Sequence, residues 1–433
     1  MEAKVELWML IPFGVMLLTI AVAPLLFEHW WEKNRNKLIF TLLLSIPTVA
    51  FLCWFGMSEA VKHQMLYDYV PFIMLLLALF VVTGGIRISG DISATPAVNT
   101  SMLAIGWMLA SFMGTTGAAM LMIRPLLQIN QQRKHRVHTV LFFIALVANC
   151  GGLLTPLGDP PLFLLYLRGA EFTWFTHALL PQWAFVGVVL LIVYAVWDMY
   201  LFRREPLELR RRDEEEHEPI RIKGSINFLW LAGVIAAVVF LNRAYIPEMA
   251  DHHAPFYVQF LREIVLLALV VLSLLTTKRA VRHENHFEWG PIAEVAILFV
   301  GIFVTMTPAL RYLGEHAGAL GLTEPWQFYY ATGTLSSFLD NAPTAVALHQ
   351  VAVGLGVSGP DVVASVPAAL LKAIALGSVF FGAMTYIGNG PNFMVKAIAE
   401  SEGVQMPSFF GYMIRFSLIV LLPIYILVQL IFL

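Results

Sequence analysis

The stretch Thr155-Pro156-Leu157-Gly158-Asp159-Pro160-Pro161-Leu162-Phe163 decides how this chain is read, because it interrupts an otherwise apolar run from 138 to 168. A run of that length reaches across the ~30 Å hydrocarbon core of a bilayer. Three prolines and a glycine break the helix there, since proline removes an N–H and clashes with the preceding turn. An acid at membrane depth is costly and therefore functional by default. Irregular backbone at that depth is tolerated only where protein buries it or where it lines a watery cavity. A second stretch, Thr385-Tyr386-Ile387-Gly388-Asn389-Gly390-Pro391-Asn392-Phe393, interrupts the apolar run 365–400 in the same manner.

Outward from these two breaks the chain repeats itself. Apolar spans lie near 7–27, 38–57, 70–88, 138–168 and 178–202, and again near 226–243, 255–277, 290–309, 365–400 and 408–433. Between the third and fourth span of each half sits another apolar stretch, 97–130 and 325–355, interrupted in its middle. At ~1.5 Å per residue each arm is too short to cross, so both read as re-entrant helical hairpins. Their tips are Gly114-Thr115-Thr116-Gly117 and Ser336-Ser337-Phe338-Leu339-Asp340-Asn341-Ala342-Pro343-Thr344. Three residue matches recur in order. Arg87-Ile-Ser-Gly90-Asp91 parallels Arg311-Tyr-Leu-Gly314-Glu315, Ser111-Phe112 parallels Ser337-Phe338, and Gly158-Asp159-Pro160 parallels Gly388-Asn389-Gly390, at separations of 224, 226 and 230 residues. The fold expected is an all-α polytopic membrane protein of two inverted repeats, each with five transmembrane helices, a re-entrant hairpin and a broken helix. The first repeat is 1–202, a cytoplasmic linker is 203–225, and the second repeat is 226–433. An odd number of spans per half inverts the second copy, and such repeats place their working site near the midplane.

Composition agrees. Of 433 residues, 59% are hydrophobic and 13% charged, against about 25% charged in soluble domains. The stretch Leu7 to Phe27 lacks a small-residue cleavage site and reads as a retained helix. Cys53 and Cys150 offer neither a disulfide framework nor metal spacing. Basic residues gather at Lys33, Arg35 and Lys37, at Arg133, Lys134 and Arg136, from Arg203 to Lys223, and at Lys278, Arg279 and Arg282. The positive-inside rule places these four loops in the cytoplasm, both termini outside, and the protein in the cell (inner) membrane. The run Arg210-Arg211-Arg212 followed by Asp213 to Glu216 reads as solvated linker. The lipid bilayer is the expected partner, and no nucleic-acid partner is expected.

The chemistry concentrates at the four breaks. Asp159 and Asp340 are acids in apolar surroundings beside Gly- or Pro-rich turns. A buried carboxylate gains proton affinity while a bound cation lowers it, so one group can take either a proton or a sodium ion. Asp340 also fits a helix cap before Pro343, and Asp159 a cap before two prolines. Thr115, Thr116, Thr155, Asn149, Ser337, Asn341, Thr344, Thr385 and Asn389 supply neutral groups, which also suit local backbone hydrogen bonds at helix ends. Free carbonyls and N–H groups at the breaks add partial charges aimed at the gap. Elsewhere, Arg124, Arg168, Lys396 and Asp198 lie near span ends, where side chains reach the interface. Arg262 and Glu263 are deeper and adjacent. Lys372 is the main cation that could attract an anionic substrate. His349 suits either a proton relay or packing. There is no P-loop or dinucleotide fingerprint, and His252-His253 is a poor metal pair. No nucleophile–base pair argues for an enzyme, and no cofactor is expected beyond transported sodium and protons.

The segment Ser337-Phe-Leu-Asp340-Asn341-Ala-Pro343-Thr344 resembles the second hairpin tip of the ion transporter superfamily, closest to NhaD-type sodium/proton antiporters and ArsB-like arsenite carriers. The run from Asn149 through Thr155, Gly158, Asp159 and Pro161 resembles a subgroup described as citrate (CitMHS-like) transporters or sodium/proton antiporters. This resemblance implies a scaffold and a mobile transport domain, elevator-like alternating access and a homodimer. It also implies two cation sites. One joins Thr115 and Thr116 to Gly158 and Asp159. The other joins Asp340, Asn341 and Thr344 to Thr385 and Asn389. Dicarboxylate carriers of the superfamily bear a Ser-Asn-Thr triplet at each tip, whereas these tips read Gly114-Thr115-Thr116 and Asp340-Asn341-Ala342. An acid there repels a carboxylate, which favours sodium or lithium exchange against protons, with Asp340 the main exchangeable group and Asp159 its partner. Sodium- or proton-coupled uptake of citrate or another organic anion is the alternative, and arsenite efflux a third.

Overall fold

A computed structural model describes residues 5–209, 218–251, 253–357 and 361–433. Arg210 to Glu216 and His252 fall outside the described residues, so the charged run of the linker and the His pair have no structural account. The described chain is mostly helical, and the protein is a multi-pass membrane protein. Among the described residues, seven helical segments are long and apolar enough to cross a bilayer: Leu7–Pro24, Asn34–Trp54, Ser58–Thr83, Val137–Leu154, Phe172–Phe202, Gly290–Glu315 and Phe409–Phe432. Ten spans were expected, and the shortfall lies in shorter helices. Ile226–Phe240 has 15 residues, or ~22 Å at 1.5 Å per residue. It stops because Asn242 turns the chain, its Oδ1 accepting from the Ala244 and Tyr245 amides. Leu261–Thr276 and Ala368–Phe381 are similarly short.

The third span also differs from the expected 70–88. It begins twelve residues earlier, at Ser58, so the connection expected at 58–69 is helical, passing through a π-helical turn at Gln64–Tyr69. It ends at Thr83, before Gly84 and Gly85. The following residues Arg87–Asp91 form strand β1, paired antiparallel with strand β2, Glu218–Lys223, from the linker. Part of the linker is therefore a strand fastened to the end of the third span. Glu284 ties this seam, accepting from Arg87 Nη1 at 2.6 Å and Lys223 Nζ at 2.7 Å. The hydrogen bond from Lys223 leads in holding the Glu284 carboxyl below its ordinary range, aided by both charges. One of the three sequence matches consequently fails as local structure: Arg87–Asp91 is a strand, while Arg311 to Glu315 closes the helix Gly290–Glu315.

The segments 97–130 and 325–355 each contain two helices in contact. The first is Pro96–Met113 and Thr115–Ile129, hinged at Gly114, whose φ of +80° favours glycine. The second is Pro325–Phe338 and Asn341–Gly354. Around the two breaks lie Val137–Leu146, a 3-10 turn Cys150–Leu154 and Pro160–Leu167, then Ala368–Phe381, Gly382–Met384 and Gly390–Ser401.

Burial separates core from rim. The window in Val137–Leu154 is 94% buried, against 28% for Leu7–Pro24 and for Asn34–Trp54. The interrupted segment is thus the centre of the protein, and the outer helices turn apolar side chains such as Leu43, Ile46 and Trp54 outward. In a bilayer such outward faces meet lipid tails, so packing between helices rests on close fit and small residues. Gly187 illustrates this: a Cβ there would lie 2.0 Å from the Trp107 ring, which stacks on Trp183 at 3.8 Å.

Candidate functional site

The two breaks have the same backbone. Thr155 (φ −140°, ψ 158°) and Thr385 (φ −140°, ψ 170°) are extended, as are Asp159 (φ −143°, ψ 142°) and Asn389 (φ −149°, ψ 138°). Each threonine hydroxyl donates to the backbone of the adjacent hairpin tip, Thr155 to the Ser111 carbonyl and Thr385 to the Ser337 carbonyl. Each also accepts from the amide two residues on, Leu157 and Ile387. These bonds satisfy groups that the helix breaks leave without partners. Two glycine pairs make the crossing possible. A Cβ on Gly158 would lie 2.0 Å from the Gly152 carbonyl oxygen, and one on Gly388 would lie 2.6 Å from that of Gly382.

All four breaks meet at one carboxylate. Asp159, 1% exposed, accepts from Thr115 Oγ1 at 2.8 Å and Asn389 Nδ2 at 3.1 Å on Oδ1, and from Asn341 Nδ2 at 2.6 Å on Oδ2. Thr115 comes from the first tip, Asn341 from the second tip and Asn389 from the second broken span. The Gly158 carbonyl fastens the same spot by accepting from the Thr115 amide at 2.8 Å. Asn149 extends the cluster, donating to Asn392 Oδ1 at 2.6 Å and accepting from Asn389 Nδ2 at 3.2 Å. Asn341 Oδ1 is buried and has no hydrogen-bond partner among the described residues.

Asp340 stands differently. It is half-buried and caps the helix Asn341–Gly354, accepting from the Ala342 amide at 3.0 Å. Its carbonyl accepts from Thr344 Oγ1 at 2.9 Å. Ser337 Oγ donates within its own helix to the Gly333 carbonyl. The structure therefore does not divide these residues into two sites as expected from the sequence. Asn341 and Asn389 turn to Asp159, while Thr155, Thr344, Thr385 and Ser337 are engaged with backbone.

A cavity of about 70 Å³ opens beside Asp159, lined by Thr115, Thr116 and Gly158 on one side and by Leu75, Leu79 and Ile292 on the other. Among the described residues its lining contains no Lys, Arg or His side chain. It has room for an ion and a few waters and falls well short of the ~300–1,000 Å³ that usually encloses an organic ligand. Lys372 is held elsewhere, donating to Gln182 at 2.6 Å in the orientation that satisfies the Gln182 amide. His349 Nε2 bonds the Ala364 carbonyl at 2.8 Å.

One cluster escaped the sequence reading. Asp198 is fully buried, bonded to Arg133 at 2.7 Å and His138 at 2.8 Å. Beside it Asn99 and Asn130 exchange two hydrogen bonds of 2.8 Å, joining both ends of the first hairpin. The helical spacing of Val186, Leu190, Tyr194 and Asp198 was the available signal, since these residues share the buried face of Phe172–Phe202.

Comparison with known proteins places the chain. A model of the family described as "Putative citrate transport" matches residues 2–433. An uncharacterized transporter of Synechocystis sp. is 26% identical over 306 residues, 64% of each chain. The chain thus spans less than two thirds of that relative's length. An uncharacterized transporter of Mycobacterium bovis is 26% identical over 358 residues, covering 77% of this chain and 79% of its own. A 46 kDa membrane protein of Mycobacterium leprae is 28% identical over 273 residues, covering 60% of this chain and 59% of its own.

Proposed function

This chain belongs to the family described as "Putative citrate transport", and from that premise of a transporter we propose that it exchanges sodium or lithium for protons through Asp159. One observation carries the reading: a fully buried carboxylate accepts from three neutral groups of three other breaks, beside a cavity without a basic side chain. A buried carboxylate without a cationic side chain takes its counter-charge from a proton or a small cation. Thr115 Oγ1, the unpartnered Asn341 Oδ1 and the two carboxylate oxygens are hard oxygen donors, which suit a dehydrated alkali ion. In this reading Asp159 is the exchangeable group. Asp340, Thr344 and Ser337 set the second tip, and Thr155 and Thr385 lace each tip to its broken span. Thr116 and Gly158 line the path and Asn149 orients Asn389.

Two inverted repeats, 1–202 and 226–433 about the linker 203–225, account for the matched dihedral angles and matched threonine bonds of the two breaks. They also account for a reciprocal packing. The second hairpin's Asn341–Gly354 packs on Pro160–Leu167 of the first broken span, and Gly390–Ser401 packs on Thr115–Ile129 of the first hairpin. Alternating access follows if hairpins and broken spans move together against the remaining helices.

The family description favours a second reading, coupled transport of citrate or a related anion. The test separates them. Proteoliposomes holding a preset pH gradient and a pH-sensitive dye receive sodium, lithium, potassium or citrate. Dequenching by sodium or lithium alone is the expected result. Response to citrate alone would overturn the exchange reading in favour of anion transport.

A further inference from the structure

The helix Pro160–Leu167 has Asp159 as its N-cap and Arg168 as its C-cap. At 1.5 Å per residue the two caps stand ~13 Å apart along the axis. At the Asp159 end, the cavity is walled by Leu79 and Phe80 from the close of the span Ser58–Thr83 and by Pro291 and Ile292 from the start of Gly290–Glu315. Those ends adjoin basic connections, so the positive-inside reading puts them on the cytoplasmic side. At the other end, Arg168 meets the outer part of the same span. Its Nη2 donates to Asp68 Oδ2 at 3.5 Å, in the π-helical turn Gln64–Tyr69.

Both side chains are mostly buried, 17% exposed for Arg168 and 13% for Asp68. Opposite charges removed from water attract strongly, and the same charges in water attract weakly. This contact is also longer than the 2.7–2.9 Å of a well-formed charge-assisted bond and uses one prong of the guanidinium fork. The pair therefore holds while dry and parts once water reaches it. Room for that water lies alongside. Tyr67, Leu167 and Gly169, the chain neighbours of the pair, line a second cavity of about 270 Å³. Tyr69 and Phe72 of the same span are tied instead to Gly290–Glu315, Tyr69 Oη donating to the Ala296 carbonyl at 3.0 Å and the Phe72 ring lying 4.7 Å from that of Phe299. The span and that helix thus form one body. The outer end of Pro160–Leu167 is held to its surroundings by neutral acceptors, Tyr166 Oη donating to the Val238 carbonyl and Arg243 to the Leu167 carbonyl, and the ion pair adds charge to this seam.

We propose that Asp68 and Arg168 form the outer latch of the ion path. Paired, they hold the outer end of the broken span against the third span while Asp159 faces the inner cavity. They part before Asp159 meets the outside, and water in the 270 Å³ cavity then solvates both released charges. What crosses the latch depends on the exchange reading, whereas its opening is read without it.

Thiol labelling of the full chain in right-side-out vesicles tests it. Cys53 is exposed, so every variant carries C53S. Thr116 lines the Asp159 cavity, and T116C reports how fast a membrane-impermeant thiol reagent added outside reaches it. The D68N/R168Q double variant removes both charges together, so that neither is left buried alone, and should speed this labelling roughly 5-fold. R168K keeps the charge but loses the fork and should speed it too, which decides the matter if the double variant unfolds on a thermal melt. In a separate arm, D68C/R168C joined by a short cleavable bis-thiol crosslinker should lose sodium- and lithium-driven proton movement and regain it on cleavage. Labelling of T116C at the native rate in both folded latch variants would overturn the proposal. So would proton movement at the native rate in the crosslinked protein. Faster labelling in a chain that moves no protons with any cation would sink the exchange reading alone and leave the latch standing.

Discussion

Replacing Asp159 by Asn tests the centre of the site with the least disturbance. The substitution keeps the shape, removes the charge and puts an NH2 group where one carboxylate oxygen accepted a hydrogen bond. On the Asn341 side that NH2 would meet the Asn341 Nδ2 donor, now 2.6 Å from Asp159 Oδ2. Asn341 can answer by turning its amide, because its Oδ1 is buried without a partner and then accepts from the new NH2. The Oδ1 position still accepts from Thr115 and Asn389. A repaired network of neutral bonds leaves a net change of about 1 kcal/mol in stability. Asp159→Ala cannot be repaired in this way. It strands two donors, Thr115 Oγ1 and Asn341 Nδ2, while Asn389 Nδ2 keeps the Ala148 carbonyl and Asn149 Oδ1, and each buried orphan costs about 1–3 kcal/mol. Thermal melts in detergent should therefore rank native and Asp159→Asn close together and Asp159→Ala clearly lower. Proteoliposome assays should find sodium- and lithium-driven proton movement absent in both variants. Proton movement at the native rate in a folded Asp159→Asn protein would refute the exchange role. Equal melting of the two variants would refute the hydrogen-bond account.

Gly158→Ala puts a Cβ 2.0 Å from the Gly152 oxygen, with backbone on both sides. The break must shift, costing about 1–3 kcal/mol, and transport should fall with it because Asp159 is the next residue. Asp198→Asn removes the nearer of two buried counter-charges of Arg133, Glu205 Oε1 remaining at 4.0 Å, so a loss of about 1.5–3 kcal/mol is expected on melting, and unchanged stability would refute the pairing. The seam at Glu284 should depend on pH. Because Lys223 and Arg87 hold that carboxyl below its ordinary range, their contribution is present above the usual glutamate value of about 4.3 and fades as pH falls through the lowered one. Protection of the Glu218–Lys223 amides, each exchange rate taken relative to its unstructured rate at the same pH, should fall in acid for the native protein, and Glu284→Gln should already show low protection at neutral pH.

Much of this architecture was legible because bilayers impose simple lengths. Apolar runs and helix-breaking residues each report a one-dimensional constraint, so the mostly helical, multi-pass character followed from spacing alone. Short helices such as Ile226–Phe240 were harder to bound, since Asn242 ends that helix through a local turn and the apolar character continues past it. The strand pairing of Arg87–Asp91 with Glu218–Lys223 joins segments far apart in the chain, and the one short alternation there, Ile220-Arg221-Ile222-Lys223, does not name its partner. Asp198 resembled a span-end acid until burial put it against Arg133 and His138.

By itself the sequence determined which residues are too polar for their surroundings, and it named Asp159, Asp340 and the threonines and asparagines of the breaks. Tertiary structure alone decided which of them face one another. Asn341 and Asn389 turn to Asp159, and Asp340 turns to its own helix end. The physical reason is that hydrogen bonds form across space between breaks separated by as many as 243 residues. A polar residue at a helix break can satisfy either its own backbone or a distant side chain, and only packing chooses between them.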